Sequence, residues 1–141
     1  MRLLMIIFTA AALSGCIAAG PVVVVSDTGQ ILRGTTVASL AGGYYQASDG
    51  KLTCTGTYPA SPGARTLTAG VTCNDGRTGQ ALVRRDPGGQ SGHGRARLSD
   101  GSEAEFAFGE SADVLLWKAT QVARRDDSTA RPSPPRRNEV A

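Results

Sequence analysis

The sequence predicts a small all-β domain: an antiparallel meander, barrel or sandwich of six to eight short strands, then a short C-terminal helix and a disordered tail. Three observations carry this. A turn tripeptide recurs as Ser48-Asp49-Gly50, Asn74-Asp75-Gly76 and Ser99-Asp100-Gly101, spaced by 26 and 25 residues. Strand-like sequence flanks each copy, and turns at such regular spacing belong to sandwiches and barrels. Eighteen glycines against 5% aromatic residues imply many turns and a modest core.

Each tripeptide suits a three-residue hairpin loop. Ser, Asn and Asp fit the early turn positions, and Gly50, Gly76 and Gly101 can take the left-handed conformation that ends such a loop. The last hairpin tests the register. With Ser99-Asp100-Gly101 as loop, Leu98 opposes Ser102, Arg97 opposes Glu103 and Arg95 opposes Glu105. Two opposite-charge pairs then share one face, and Leu98, Ala96, Ala104, Phe106 and Phe108 share the other. One face is therefore solvated and one buried. The same register puts Leu52 and Cys54 on one face with Tyr44, and Val71 and Cys73 on one face with Gly79, Ala81 and Val83. Upstream, Val22–Ser26 and Ile31–Val37 flank Asp27-Thr28-Gly29 as a further hairpin.

The run Gly92-His93-Gly94-Arg95-Ala96-Arg97-Leu98-Ser99-Asp100-Gly101, followed by Phe106 and Gly109, resembles a MORN repeat over one unit. Ala104 stands where that family usually has Tyr. The resemblance implies a β-hairpin and carries no lipid-binding or scaffolding role with it.

After Glu110 the period changes. Ser111-Ala112-Asp113 suits a helix start. Leu115, Leu116, Ala119, Val122 and Ala123 share one helical face, expected to pack on the sheet, and Trp117 reads as core or rim. Residues 126–141 are polar with Pro132, Pro134 and Pro135, a composition that cannot bury enough apolar surface to order itself.

The chain opens MRLLMIIFTAAALSGC. Arg2 precedes eleven apolar or small residues, Leu3 to Leu13, the length of a signal-peptide core. The run is too short to span a bilayer, which takes about 20 apolar residues. Gly20 and Pro21 interrupt its continuation to Val25 and weigh against an uncleaved anchor. Leu13-Ser14-Gly15-Cys16 resembles the lipobox of bacterial lipoproteins. The resemblance implies removal of residues 1–15, a lipid on the Cys16 sulfur and an acylated new amine. Ile17 rather than Asp follows the cysteine, which in many Gram-negative lipoproteins directs the product to the outer membrane, facing the periplasm. Residues 16–30 then form the anchor and a tether or first strand, 31–110 the β domain, 111–125 the helix and 126–141 the tail.

With Cys16 lipidated, Cys54 and Cys73 remain. An even pair in an oxidising compartment reads as a disulfide. A hairpin centred near Gly63 and Ala64 brings the two opposite each other.

Charge excludes one class of partner. Residues 16–123 hold nine positive and nine negative residues, and residues 124–141 add a net +2. A neutral body with a mildly basic tail, behind an export signal, is not a nucleic-acid binder. Catalytic constellations are not evident. His93 is the only histidine, Ser91 stands near it, and nothing in the sequence orients a base for a nucleophile. No cluster has metal-ligand spacing, so no metal or cofactor is expected. Gly88-Gly89-Gln90-Ser91-Gly92 lacks the Lys-Ser/Thr of a phosphate loop. The expectation is a non-catalytic, membrane-anchored structural or binding module with an envelope-protein or cell-wall partner. Alternatives are a periplasmic inhibitor of a hydrolase such as lysozyme, and a small envelope enzyme.

Overall fold

The structure, a computed structural model, describes residues 18–130. Eight strands run in chain order: β1 (Ala18–Ser26), β2 (Ile31–Ser39), β3 (Gly42–Ser48), β4 (Thr53–Pro59), β5 (Thr66–Cys73), β6 (Thr78–Arg85), β7 (Gly92–Leu98) and β8 (Glu103–Phe108). One helix follows, α1 (Glu110–Ala130). Every strand pairs antiparallel with its sequence neighbours, and β8 returns to β1 to close a barrel. Closure leaves no strand without a neighbour on either side.

Alternation sets the interior. Along β5 buried and exposed residues alternate without a break, with Leu67, Ala69, Val71 and Cys73 inside. The outer face carries the pairs Arg95–Glu105 and Arg97–Glu103 in the register expected from the last hairpin. Gln46, Gln80 and Arg84 are also exposed. This polarity is opposite to that of a barrel that spans a membrane, whose outer band is apolar.

Three of the four hairpin loops at one end have three residues. Val25 opposes Ile31 across Asp27-Thr28-Gly29. Thr72 opposes Thr78 across the second tripeptide, and Arg97 opposes Glu103 across the third. The β3–β4 loop departs from this pattern. Ser48 opposes Thr53 and the Asp49 N–H donates to the Leu52 carbonyl, so the loop is the two residues Gly50 and Lys51, one fewer than in the other three. The Asp49 carboxylate accepts the backbone N–H groups of both Lys51 (2.9 Å) and Leu52 (2.8 Å), which holds the tighter loop. An odd shift in register exchanges the two faces of a strand. Tyr45, not Tyr44, therefore shares the interior with Cys54, and Tyr44 lies outside at 52% exposure.

The first strand begins at Ala18, so nearly all of the stretch read as tether or strand belongs to the barrel. The helix is longer than expected: residues 126–130, read as tail, continue it. Its seating also differs. Ala112 is completely buried, and Leu115, Leu116 and Ala119 are half-buried. Val122 and Ala123, placed on the packing face, are exposed, as is Trp117 at 63%. Only the first half of α1 lies on the barrel, against β1, β8 and β7. There it covers Val23 and Ala107, outward-facing residues that are nonetheless buried. Residues 131–141 of the expected tail lie outside the described residues.

Strand direction sorts the connections into two ends. The four hairpin loops after β1, β3, β5 and β7 gather at one end, here the hairpin end. The start of β1, the start of α1 and the loops after β2, β4 and β6 gather at the other, the terminal end.

Candidate functional site

The barrel is not filled. A cavity of about 400 Å³ runs from the hairpin loops to Arg85 and Gly89 at the terminal end. Its cause is the size of the inward residues. Ala69, Ala81, Ala96 and Ala104 line its middle, where many small barrels carry branched side chains that interdigitate. The larger inward residues lean on glycines of the neighbouring strand. Tyr45 opposes Gly56, Tyr58 opposes Gly43, Phe106 opposes Gly94 and Phe108 opposes Gly92. Each aromatic ring occupies the place of the missing Cβ, a device that lets a sheet coil tightly while covering its bare backbone. The rings therefore lie along the wall, and the axis stays open.

The ladder between β4 and β5 is the shortest in the barrel, with only Cys54↔Cys73 and Thr55↔Thr72. Beyond it the Gly70 carbonyl oxygen turns against Gly56 and accepts the Tyr45 hydroxyl at 2.8 Å. Burial pushes the Tyr45 phenol up to about 12, so it remains a donor. The Cys54–Cys73 disulfide sits at this seam, and both residues line the cavity.

At the hairpin end, side chains join all four loops in a closed circuit. Gln30 donates to Asp49. Asn74 accepts the Thr53 N–H and donates to the Lys51 carbonyl. Arg77 donates to Ser102 at 3.2 Å and Asp100 at 3.5 Å. Asp27 accepts the Glu103 N–H at 3.3 Å, and its own N–H donates to the Glu103 carbonyl. These contacts set the local acidities. The Gln30 amide, then the Lys51 and Leu52 N–H groups, bring the Asp49 carboxyl down to about 2. Ser102, through hydroxyl and N–H, and then Arg77 lower Asp100.

The terminal end is built differently. Its β4–β5 loop (residues 60–65) and β6–β7 loop (residues 86–91) are longer. Arg85, the last residue of β6, faces inward in phase with Ala81 and Val83, and its Nη1 donates to the Ser61 carbonyl at 3.1 Å. Tyr58 and Thr36, also cavity residues, share a hydroxyl contact of 3.0 Å. Asp86 accepts the Ser91 and Ser111 hydroxyls, which lower its pKa and tie the start of α1 to the β6–β7 loop.

The residues singled out from sequence fall at three places. Gly50, Gly76 and Gly101 have φ of +96°, +90° and +83°, all in hairpin-end loops. Cys54 and Cys73 are bonded in the wall. Cys16 lies outside the described residues. His93 projects from the outer face between Arg84 and Ala107, while the Ser91 hydroxyl is engaged by Asp86. Sequence reading missed the cavity, Arg85 and Tyr45. The signal available for the first was the recurrence of alanine and glycine at inward positions of β2 to β8.

No family model and no curated protein matches the chain. Among solved structures, a redesigned β-barrel aligns with 66% of this chain and 89% of its own, at 17% identity and a TM-score of 0.49.

Proposed function

We propose that this protein is a lipid-anchored, non-catalytic binding module of the bacterial cell envelope whose barrel interior holds a small, mainly apolar molecule. The observation that carries this reading is the open axis. A continuous cavity of about 400 Å³ falls within the range of about 300–1,000 Å³ typical of small-molecule sites. Its middle is apolar and its polar groups stand at the two mouths, so it suits a ligand with an apolar body. The anchor reading rests on the lipobox. Cys16 precedes β1 by one residue, and two residue steps span at most about 7 Å. Lipidation there holds the terminal end close to the bilayer. Two or more acyl chains give stable attachment.

Protein purified from its own membranes tests both parts. Denaturing intact mass should give a chain that begins at Cys16 and carries acyl groups. Organic extraction should release about one small apolar molecule per chain, and a chain carrying Ala81→Leu and Ala96→Leu should yield none. A chain that retains Met1 and has no acyl mass overturns the anchor. Equal extracts from both proteins overturn the binding role.

A further inference from the structure

We infer that the ligand is a single-chain amphiphile with an anionic head, drawn from the bilayer, its chain along the barrel axis and its head against the Arg85 guanidinium at the terminal end. This rests on the reading of the barrel as a binding module and names the class of its ligand. Arg85 is the first observation. It is the one arginine at the terminal mouth that faces into an otherwise apolar interior. A guanidinium has five N–H donors, and a single one is used, on Ser61. Among the described residues no carboxylate lies within 4 Å of it. Arg77, in the loop that leads into the other end of the same strand, shows the contrast: Asp75 and Asp100 both pair with it. An inward cation without a counter-charge at the mouth of an apolar cavity is matched by a ligand carboxylate or phosphate, which a guanidinium grips with paired, charge-assisted hydrogen bonds.

The charge layout agrees. The hairpin-end loops carry Asp27, Asp49, Asp75 and Asp100 against Lys51 and Arg77. The terminal end carries Arg65, Arg84 and Arg85. Its acids include Asp86, engaged by two serine hydroxyls, and Glu110 at the helix start. An anionic head is thus drawn to one mouth and repelled from the other. The volume favours one chain, since about 400 Å³ is near the low end for ligand sites. The source follows from placement. Leu40, 83% exposed, tips the β2–β3 turn at the same end as the start of β1. With Cys16 in the bilayer, this apolar tip and the Arg85 mouth face the membrane surface, where such amphiphiles reside.

The test uses the lipidated full chain in zwitterionic vesicles, titrated with cis-parinaric acid and with its uncharged methyl ester. Energy transfer from Trp117, the only tryptophan, reports bound probe. The chain carrying Ala81→Leu and Ala96→Leu supplies the blank for probe dissolved in the bilayer. Arg85→Gln should weaken the acid at least tenfold and leave the ester unchanged, and Arg85→Lys should recover most of the loss. Unchanged acid binding in Arg85→Gln, or equal loss of acid and ester, overturns the head-group assignment and leaves the cavity standing. Failure of both probes to exceed the blank in the wild type overturns the binding role itself.

Discussion

Asp49 shows how a single carboxylate decides local geometry. Ser48-Asp49-Gly50 and Ser99-Asp100-Gly101 are the same tripeptide, yet the first lies at a two-residue loop and the second forms a three-residue one. Asp100 takes both the N–H and the hydroxyl of Ser102, whereas Asp49 reaches the N–H groups of Lys51 and Leu52. The tripeptide alone does not encode that difference, because it depends on the residues that follow and on Gln30 across the barrel end. The three-residue register therefore puts Tyr44, not Tyr45, on the face of Cys54, while the Arg95–Glu105 and Arg97–Glu103 pairs are legible from charge alternation alone. The lowered pKa values of Asp49 and Asp100 have a stability consequence. A carboxyl whose folded value lies below its unfolded one contributes above the unfolded value, and the contribution is lost as pH falls through the folded one. Melting temperature should therefore drop between pH 4 and about 2, with a shallower drop in Asp49→Ala. Close approach gives a second prediction. A Cβ on Gly56 would stand 1.8 Å from the Gly70 carbonyl oxygen, whereas one on Gly70 meets nothing within 4 Å. Chemical denaturation should show Gly56→Ala destabilised by about 3 kcal/mol, and Gly70→Ala within about 0.5 kcal/mol of wild type.

Among the elements, the β4–β5 pair has the thinnest ladder and the only disulfide among the described residues. The bridge closes a loop across the seam where backbone pairing stops. Reduction, or Cys54→Ala with Cys73→Ala, should lower unfolding free energy by about 3 kcal/mol, and exchange of β5 amide hydrogens should accelerate before that of β7. The pairing of these cysteines was readable from the symmetry of the two strands about Gly63 and Ala64. The extent of α1 was not. Its apolar period runs on to Ala123, but the barrel wall under it ends sooner, so Val122 and Ala123 have nothing to cover. Truncation after Gln121 should leave the melting temperature of the barrel within about 2 °C, in contrast to Ala112→Glu, which places a charge against Val23 and Ala107 and should cost about 3 kcal/mol.

For the molecule as a whole, alternation told which residues face inward but not whether they fill the space they enclose. That depends on closure of eight strands, a property of the assembled barrel. Ala69, Ala81, Ala96 and Ala104 look like ordinary core positions along a strand, and only around a closed axis do they leave a channel. The two ends of that channel differ in kind. One is bound by a circuit of loop side chains, and the other carries Arg85 and lies beside the start of the chain. Saturable uptake of an uncharged apolar fluorophore, N-phenyl-1-naphthylamine, by the lipidated chain in vesicles reads out whether this interior is a binding cavity. A binding interior gives one site per chain above the lipid background, abolished by Ala81→Leu with Ala96→Leu while the melting temperature holds or rises. Uptake by the wild type no greater than by the filled variant would contradict it.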